Sequence, residues 1–396
     1  MERELAIVYF ADEPDHITQL RQSLRRFCEQ EAPPEKRRQW RAAQAFPRDV
    51  FAKLADLGVC GLTVPEAHGG LGQDWVAATA VIEELSRAGT FLAGPFIQCA
   101  FYGGGNISES GSEAQKATLL PGVAAGELFF AYGLSEPEVG GDLASVRTRA
   151  RLEDGGDTVV INGVKRWCTG ADWADYIFCL VNSDAEGRRY RNLSMVLVPG
   201  DAPGLSRQPL THQNLLYSHS FDVYFDDVAV PAANILGGPE AWNDGWLRLA
   251  GRSLDVEKVE VAAMAFGLAQ AAVEEAWRYA QDRRQFGKPI SGHQAVRHEL
   301  VEARTRLEAC RHMLYHAAWL VDQGRPATVE SSMAKLFVAD TAVEIGLACQ
   351  RVMGAYGLSD EFDMAQTVAD LVGMPIVGGS SHMQKNNIAN RLGLPE

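Results

Sequence analysis

The sequence predicts a mainly helical α+β protein in three parts: an N-terminal helical domain (1–127), a middle antiparallel β-domain (128–238) and a C-terminal four-helix-bundle domain (239–396). Three observations carry this. Apolar residues recur at helical spacing through the first third, switch to alternation after Phe129, and return to helical spacing from Asn243 to the end.

In chain order, Ile17, Leu20, Leu24, Phe27 and Cys28 make one helix face over about Asp15 to Glu31, with Pro33 and Pro34 ending it. A second helix runs from Pro47 to Leu57. Pro65, Gly69, Gly70 and Gly72 make Leu62 to Gly72 a loop. Helices resume at Trp75 to Arg87, Pro95 to Tyr102 and Ser112 to Val123. Val146, Thr148, Ala150 and Leu152 then alternate with Arg147, Arg149 and Arg151, the period of a half-buried strand. Gly155 to Asp157 form a turn and Thr158 to Ile161 continue the sheet. Tyr176 to Val181, Leu193 to Val198 and Phe221 to Phe225 complete a unit of about a hundred residues. The helical remainder is interrupted by loops at Gly287 to Gly292, Gly324 to Pro326, Gly354 to Glu361 and Gly373 to Ser381. With no internal repeat or low-complexity linker, the parts should pack as one body.

At 396 residues the chain can bury a large core. Its 51 Asp and Glu against 37 Lys and Arg speak against a nucleic-acid partner. The basic runs Arg21 to Arg26 and Lys36 to Arg41 read as solvated helix faces. Seven cysteines without a Cys-x-x-Cys pair indicate buried thiols in a reducing compartment rather than disulfides or a zinc site. There is no basic-then-apolar leader pattern and no apolar run long enough for membrane insertion, so a cytoplasmic location is expected.

The stretch from Leu254 to Gln294 draws attention. Leu254, Val261, Met264 and Leu268 lie on one helix face, and Glu257 shares it. An acid there is costly unless it is paired or used. Its role is therefore structural or chemical, and the pattern alone leaves both open.

Four motifs bear on that choice. They are Tyr132-Gly133-Leu134-Ser135-Glu136-Pro137 with Gly140, Gly141 and Asp142; Asn162-Gly163-Val164-Lys165-Arg166-Trp167-Cys168-Thr169; Arg283-Arg284-Gln285-Phe286-Gly287 with His293 and Gln294; and Gln350 with Gly354. Each has an ordinary reading as a strand–helix turn, a core aromatic or a glycine-stopped helix end. In this order, around a helix–sheet–helix plan, they resemble the acyl-CoA dehydrogenase family from about Asp15 to Leu392.

The resemblance implies FAD between the sheet domain and the C-terminal helices. It puts Tyr132, Leu134, Ser135, Trp167 and Thr169 around the flavin ring, with Ser380 and His382 also among the cofactor positions. Arg283, Gln285 and Phe286, followed by His293 and Gln294, would reach the pyrophosphate and adenine of a FAD held mainly by a neighbouring subunit. Gln350 and Gly354 would hold the other side. A homotetramer, built as a dimer of dimers, is implied, with electron-transferring flavoprotein as the expected redox partner.

The implied reaction is α,β-dehydrogenation of an acyl-CoA thioester by a carboxylate base. In most members the base lies in a C-terminal Tyr-Glu-Gly-Thr motif, which here reads Val377-Gly378-Gly379-Ser380, so Gly378 occupies the usual post. Its backbone N–H could still serve the thioester oxygen. Branches such as isovaleryl-CoA dehydrogenase carry the Glu on the long helix, where Glu257 matches, with Glu260 one turn on as the second claimant; crotonobetainyl-CoA reductase is similar in having both this Glu and a Gly-Gly-Ser loop. Asp255 and Lys258 match positions that contact CoA or acyl chain. Gly141, Ala369 and His382 depart from the common Ser, Arg and acidic or amide residues. Alternatives are a catalytically incomplete subunit of a heterotetramer, or a reductase- or desulfinase-type relative. Phe91, Phe96 and Phe101 are candidates for setting pocket depth.

Overall fold

The computed structural model describes residues 13–215 and 219–395. The leader-pattern reading rests largely on residues 1–12 and lies outside them. The first helical part comprises α1 (Asp15–Glu31), α2 (Pro34–Ala43), α3 (Arg48–Ala55), α4 (Trp75–Ala88), α5 (Thr90–Phe96), a π-helical segment (Ile97–Gly105), α6 (Asn106–Ser110) and α7 (Glu113–Ala124). Asp74 caps α4 by accepting from Ala77 N at 2.7 Å, and Ser112 and Gln115 form a reciprocal capping box on α7. Pro34 begins α2 instead of stopping α1, since a proline at the first helical position surrenders an N–H that has no partner there anyway. The predicted Pro95 helix starts five residues earlier, and beyond Pro95 its ladder slips into the wider π register.

The middle part contains β1 (Phe130–Gly133), β2 (Arg149–Glu153), β3 (Thr158–Thr169), β4 (Tyr176–Asn182), β5 (Leu193–Pro199), β6 (Leu205–Leu210) and β7 (Ser220–Pro231). They form one mostly antiparallel sheet in the order β1-β4-β2-β3-β7-β6, with β5 also on β4 and β1 parallel to β4. The alternation sorts side chains between two cores. Phe178, Leu180, Met195 and Leu197 join the helical core, while Ile177, Cys179, Val181, Val196 and Val198 pack inside the β-domain. Strand β3 runs eight residues past its predicted end and so includes the motif from Asn162 to Thr169; β6, whose side chains are mostly exposed, lacks the apolar alternation that would have announced it.

The last part holds α8 (Gly245–Leu249), α9 (Arg252–Asp282), a two-stranded hairpin β8 (Arg284–Gln285) and β9 (Lys288–Pro289), α10 (Gln294–Asp322), α11 (Thr328–Met353), α12 (Met364–Gly373) and α13 (Ser381–Arg391). Helices α9, α10 and α11 pack on one another, and the short α12 and α13 pack on α11 to finish the bundle. Helix α9 also lies against α4, so it is buried almost all round. Gly267 allows that approach, because a Cβ there would stand 2.4 Å from the Glu83 carbonyl oxygen.

The basic runs are only partly solvated faces: Arg26 is exposed, but other members turn inward. Arg21 is 5% exposed and reaches Glu83 (2.9 Å), Glu84 (3.1 Å) and Tyr315, tying α1 to α4 and α10. Arg37 and Arg41 pair with Asp363 at 2.8 and 3.4 Å. A buried guanidinium is sustained by such partners; Glu13 also pairs with Arg21, at 2.7 Å, but Glu83, Glu84 and Tyr315 lie 62 or more positions away and give no local signal. All seven cysteines are free and buried. Among the described residues no helix is long and apolar enough to cross a membrane.

Candidate active site

The N-terminal half of α9 presents Ser253, Val256, Glu257 and Glu260 at spacings of three, four and seven, hence on one face. Across from them stand Tyr132 from β1, Trp75 from α4, Phe101, Tyr102 and Gly105 from the π segment, and Asn106 and Glu109 from α6, with Arg252 beside the opening. Together they line a narrow cleft. Asn106 knits its far wall: its Nδ2 donates to the Tyr132 hydroxyl at 2.7 Å, and its Oδ1 accepts from Ser253 Oγ. The Tyr132 and Tyr102 rings stack at 3.9 Å. Of the three phenylalanines considered for pocket depth, Phe101 lines the cleft, whereas Phe91 and Phe96 are buried.

Glu257 is half-buried. Burial pushes its carboxyl up to about 7, against the pull of Lys258 and Lys335. Glu260, 1% exposed, is driven well above the ordinary carboxyl range by burial and then by Glu257. Lys258 cannot neutralise either acid by contact, because its Nζ donates to Asp255 Oδ1 at 2.9 Å; Asp255 Oδ2 accepts from Thr328 Oγ1 at 2.7 Å. Asp255 and Lys258 therefore form a buried pair beside the cleft.

The loop at Gly378 packs on the same helix face. A Cβ at Gly378 would stand 2.7 Å from Val261 Cγ2, one turn beyond Glu257, and the backbone there has φ +61°. Both demand glycine. Gln384 Nε2 holds the loop by donating to the Gly378 and Gly379 carbonyls at 3.2 and 2.9 Å. The Gly378 N–H finds no acceptor among the described residues. Lys335, on α11, is fully buried and donates from Nζ to the Gly379 carbonyl at 2.8 Å. Burial lowers its ammonium to about 8, opposed by Asp340 and Glu257. Ser380 caps α13, His382 is exposed, and a Cβ on Gly141 would meet Met383 Sδ at 3.1 Å, so the Gly141 loop adjoins the start of α13.

At the sheet, a register shift between Lys165 and Cys168 turns successive side chains apart. Lys165 points inward, fully buried, to Glu136 (2.9 Å) and the Leu134 carbonyl (3.1 Å). Despite burial, Glu136 is held below the usual carboxyl range by Lys165 and by the N–H groups of Thr148 and Arg147. Trp167 points outward, 55% exposed, with φ +64°. Ser135 is half-buried beside it in the chain of contacts, its carbonyl accepting from Arg166 N at 2.8 Å; Thr169 Oγ1 shares a hydrogen bond with Ser220 Oγ, and its carbonyl accepts from Gln98 Nε2 at 2.7 Å.

A second group lies at the other end of α9. Arg283 stands over the Tyr356 ring in the turn that follows Gly354. Gln285, Phe286 and His293 cluster on the hairpin, with Phe286 92% exposed at φ +51°, and Gln294 opens α10. Gln350 donates to the Gly357 carbonyl at 2.9 Å. Arg283 follows Glu257 by 26 helical positions, so the two groups are about 39 Å apart within one chain.

The sequence reading missed Asn106, Ser253, Gln98 and above all Lys335. The last carried a signal: a lysine between Ala334, Val338 and Ala342 on a buried helix face. Trp167 and Phe286, flat apolar surfaces held outside the core in a backbone region that disfavours bulky residues, suit a large planar ligand.

The fold and these motifs have known counterparts. Residues 14–127, 131–228 and 243–393 match the N-terminal, middle and C-terminal domains of acyl-CoA dehydrogenase. The probable acyl-CoA dehydrogenase YngJ of Bacillus subtilis is 33% identical over 88% of this chain and 90% of its own length. The caffeyl-CoA reductase–Etf complex subunit CarC of Acetobacterium woodii is 31% identical over 97% of this chain and 99% of its own. The crystal structure of acyl-CoA dehydrogenase from Geobacillus kaustophilus superposes with a TM-score of 0.90 at 29% identity, covering 97% of this chain and 100% of that one. With all three domains matched in order over nearly its whole length, the chain belongs to the acyl-CoA dehydrogenase family of FAD-dependent oxidoreductases.

Proposed function

We propose that Glu257 is the base that removes the α-proton of an acyl-CoA thioester. The observation that carries this is the packing of the Gly378 loop on Val261, one turn from Glu257. Where a base could stand at position 378 there is a glycine with no room for a side chain, and Glu257, one turn from the Val261 it packs on, presents a carboxyl to the cleft. A carboxyl raised to about 7 by burial is a stronger base than a solvated one and still substantially ionised at neutral pH. The unpaired Gly378 N–H is a donor suited to the thioester oxygen, where charge develops as the proton leaves. Asp255 and Lys258 border the acyl or CoA portion.

Bound FAD supplies a hydride acceptor at the β-carbon. Trp167 would wall the ring, and Tyr132, Leu134, Ser135 and Thr169 would border it, with Ser380 and His382 at the loop side. Arg283 follows Glu257 by the length of α9, about 39 Å, and Gln285, Phe286, His293, Gln294, Gln350 and Gly354 belong to the hairpin, α10 and α11 elements around that far end, too distant to serve the same cofactor as Glu257 of their own chain. We therefore assign them to the FAD of a neighbouring subunit in a homotetramer. An electron-transferring flavoprotein is the proposed redox partner, as the name of the caffeyl-CoA reductase–Etf complex subunit indicates for that relative.

The test is anaerobic titration of the purified flavoprotein with a panel of acyl-CoA and enoyl-CoA esters. A saturated ester should bleach the flavin, and Glu257→Gln should slow bleaching by about 10²–10⁴-fold, the usual yield of general-base catalysis. Undiminished bleaching in Glu257→Gln sinks the assignment, and oxidation of the reduced enzyme by enoyl-CoA without the forward reaction would make it a reductase.

A further inference from the structure

We infer that Glu260 is a specificity residue, and that the acyl group this enzyme takes carries a hydrogen-bond donor, a hydroxyl or an ammonium, beyond its β-carbon. The inference rests on the reading of Glu257 as the base. Glu260 lines the cleft, is 1% exposed, and has no hydrogen-bond partner among the described residues. A carboxyl so placed is expensive to retain beside a plain hydrocarbon chain, which would strip it of water and return nothing. It is not a remnant of a salt bridge either. Lys258 is taken by Asp255, and Lys335 is bonded to the Gly379 carbonyl. Arg252 donates to the Val321 carbonyl at 2.9 Å, faces Glu109 at 3.8 Å and stands over the Trp75 ring.

The position follows from the helix. Glu260 is one turn beyond Glu257 on the same face, about 5–6 Å on, and is the more deeply buried of the two. With the α-carbon at Glu257, a group reached by Glu260 sits several bonds further into the cleft, past the β-carbon. The acids Glu109 and Glu257 line the cleft with Arg252 as its one basic side chain, which disfavours a carboxylate at the chain end. An ammonium would draw Glu260 into an ion pair; a hydroxyl would donate to it and leave its charge state free.

The experiment uses S-alkyl-CoA thioethers, which bind without turnover: S-(hydroxybutyl)-, S-(aminobutyl)-, S-pentyl- and S-(carboxypropyl)-CoA, titrated calorimetrically into the FAD-loaded enzyme. The hydroxyl or the amine should bind at least about tenfold tighter than the pentyl chain, with the carboxylate weakest. Glu260→Leu should abolish or invert that preference. Glu260→Gln separates the two donors, since an amide keeps preference for the hydroxyl and loses it for the ammonium. Pentyl binding as tight as both donors in the unmodified enzyme, or a donor preference unchanged in Glu260→Leu, overturns the inference while flavin bleaching by saturated esters leaves the Glu257 reading standing. Failure of every thioether to bind, with no bleaching by any ester, overturns both.

Discussion

Replacing Lys335 by Met separates an electrostatic role from a structural one. Lys335 is fully buried, and its fall from 10.5 to about 8 means that the folded protein holds its proton less tightly than the unfolded chain. The penalty is therefore complete below pH 8, worth ~3 kcal/mol, and fades as pH rises toward 10.5. Lys335→Met removes that penalty and forfeits a charge-assisted hydrogen bond to Gly379, worth ~1.5–3 kcal/mol. The Gly379 carbonyl keeps Gln384 Nε2 at 2.9 Å, so it is not orphaned. The two effects nearly cancel, and denaturant unfolding at pH 7 should place the variant within ~1–2 kcal/mol of the parent. Glu257 behaves differently. Losing a nearby buried cation at an effective dielectric of about 20 withdraws ~1–2 kcal/mol of stabilisation from its ionised form, or about one pKa unit. The acid limb of the kcat/KM profile should move up by that amount from near pH 7, cutting kcat/KM at pH 6.5 about tenfold while the plateau above pH 9 is retained. An acid limb that stays in place refutes the coupling. A loss of several kcal/mol in stability would make the lysine a structural brace instead.

Other consequences follow from the same geometry. For the parent, activity should rise through about pH 7 as Glu257 ionises; because its folded pKa exceeds 4.5, Glu257 should also make stability fall by up to ~3 kcal/mol between pH 4.5 and 8, a decline absent from Glu257→Gln in thermal or denaturant unfolding. Gly378→Ala combines φ +61° with the 2.7 Å contact to Val261 and should cost ~1–3 kcal/mol and most of the activity; Val261→Ala in the same chain should recover part of both, which calorimetry and flavin bleaching would show. Phe286→Ala removes a ring that is 92% exposed, so unfolding of the cofactor-free chain should shift by no more than ~0.5 kcal/mol. In the same variant FAD retention on gel filtration should drop and, on the proposed subunit-shared cofactor site, so should the oligomer fraction in sedimentation.

The three-part plan was legible because helical and strand periods differ and each runs over long stretches. Strand β3 shows where that stops. Its first residues, Val159, Val160 and Ile161, are a buried apolar run, but Asn162 and Gly163, where the register shifts, read as a turn, and further on Lys165 turns inward to Glu136 while Trp167 turns outward, so hydropathy does not pick the strand up again. Arg21 fails in the same way. Its charge says surface, yet Glu83, Glu84 and Tyr315 arrive from two other helices to hold it inside. In each case the missing information is a partner far away in sequence, and hydropathy has no means of supplying one.

The site divides along that line. Glu257 could be found because it interrupts an apolar face of a long helix, which is a local contradiction and so a visible one. Lys335 presents the same contradiction on α11, but its meaning depends on a carbonyl 44 residues later, at Gly379. That carbonyl is available only because the Gly378–Gly379 backbone takes a left-handed course that side chains rarely adopt. The glycine that vacates the usual base position is thus also the one that lets the loop close on Val261, and the lysine below it lies within electrostatic reach of Glu257. A glutamate placed at 378 would have to displace Val261 and unwind that turn. On the proposed reading of Glu257 as base, installing a base on the loop instead therefore requires changing positions 378 and 261 together, with Glu257 removed as the competing acid, and any single exchange should leave a weaker enzyme than the parent.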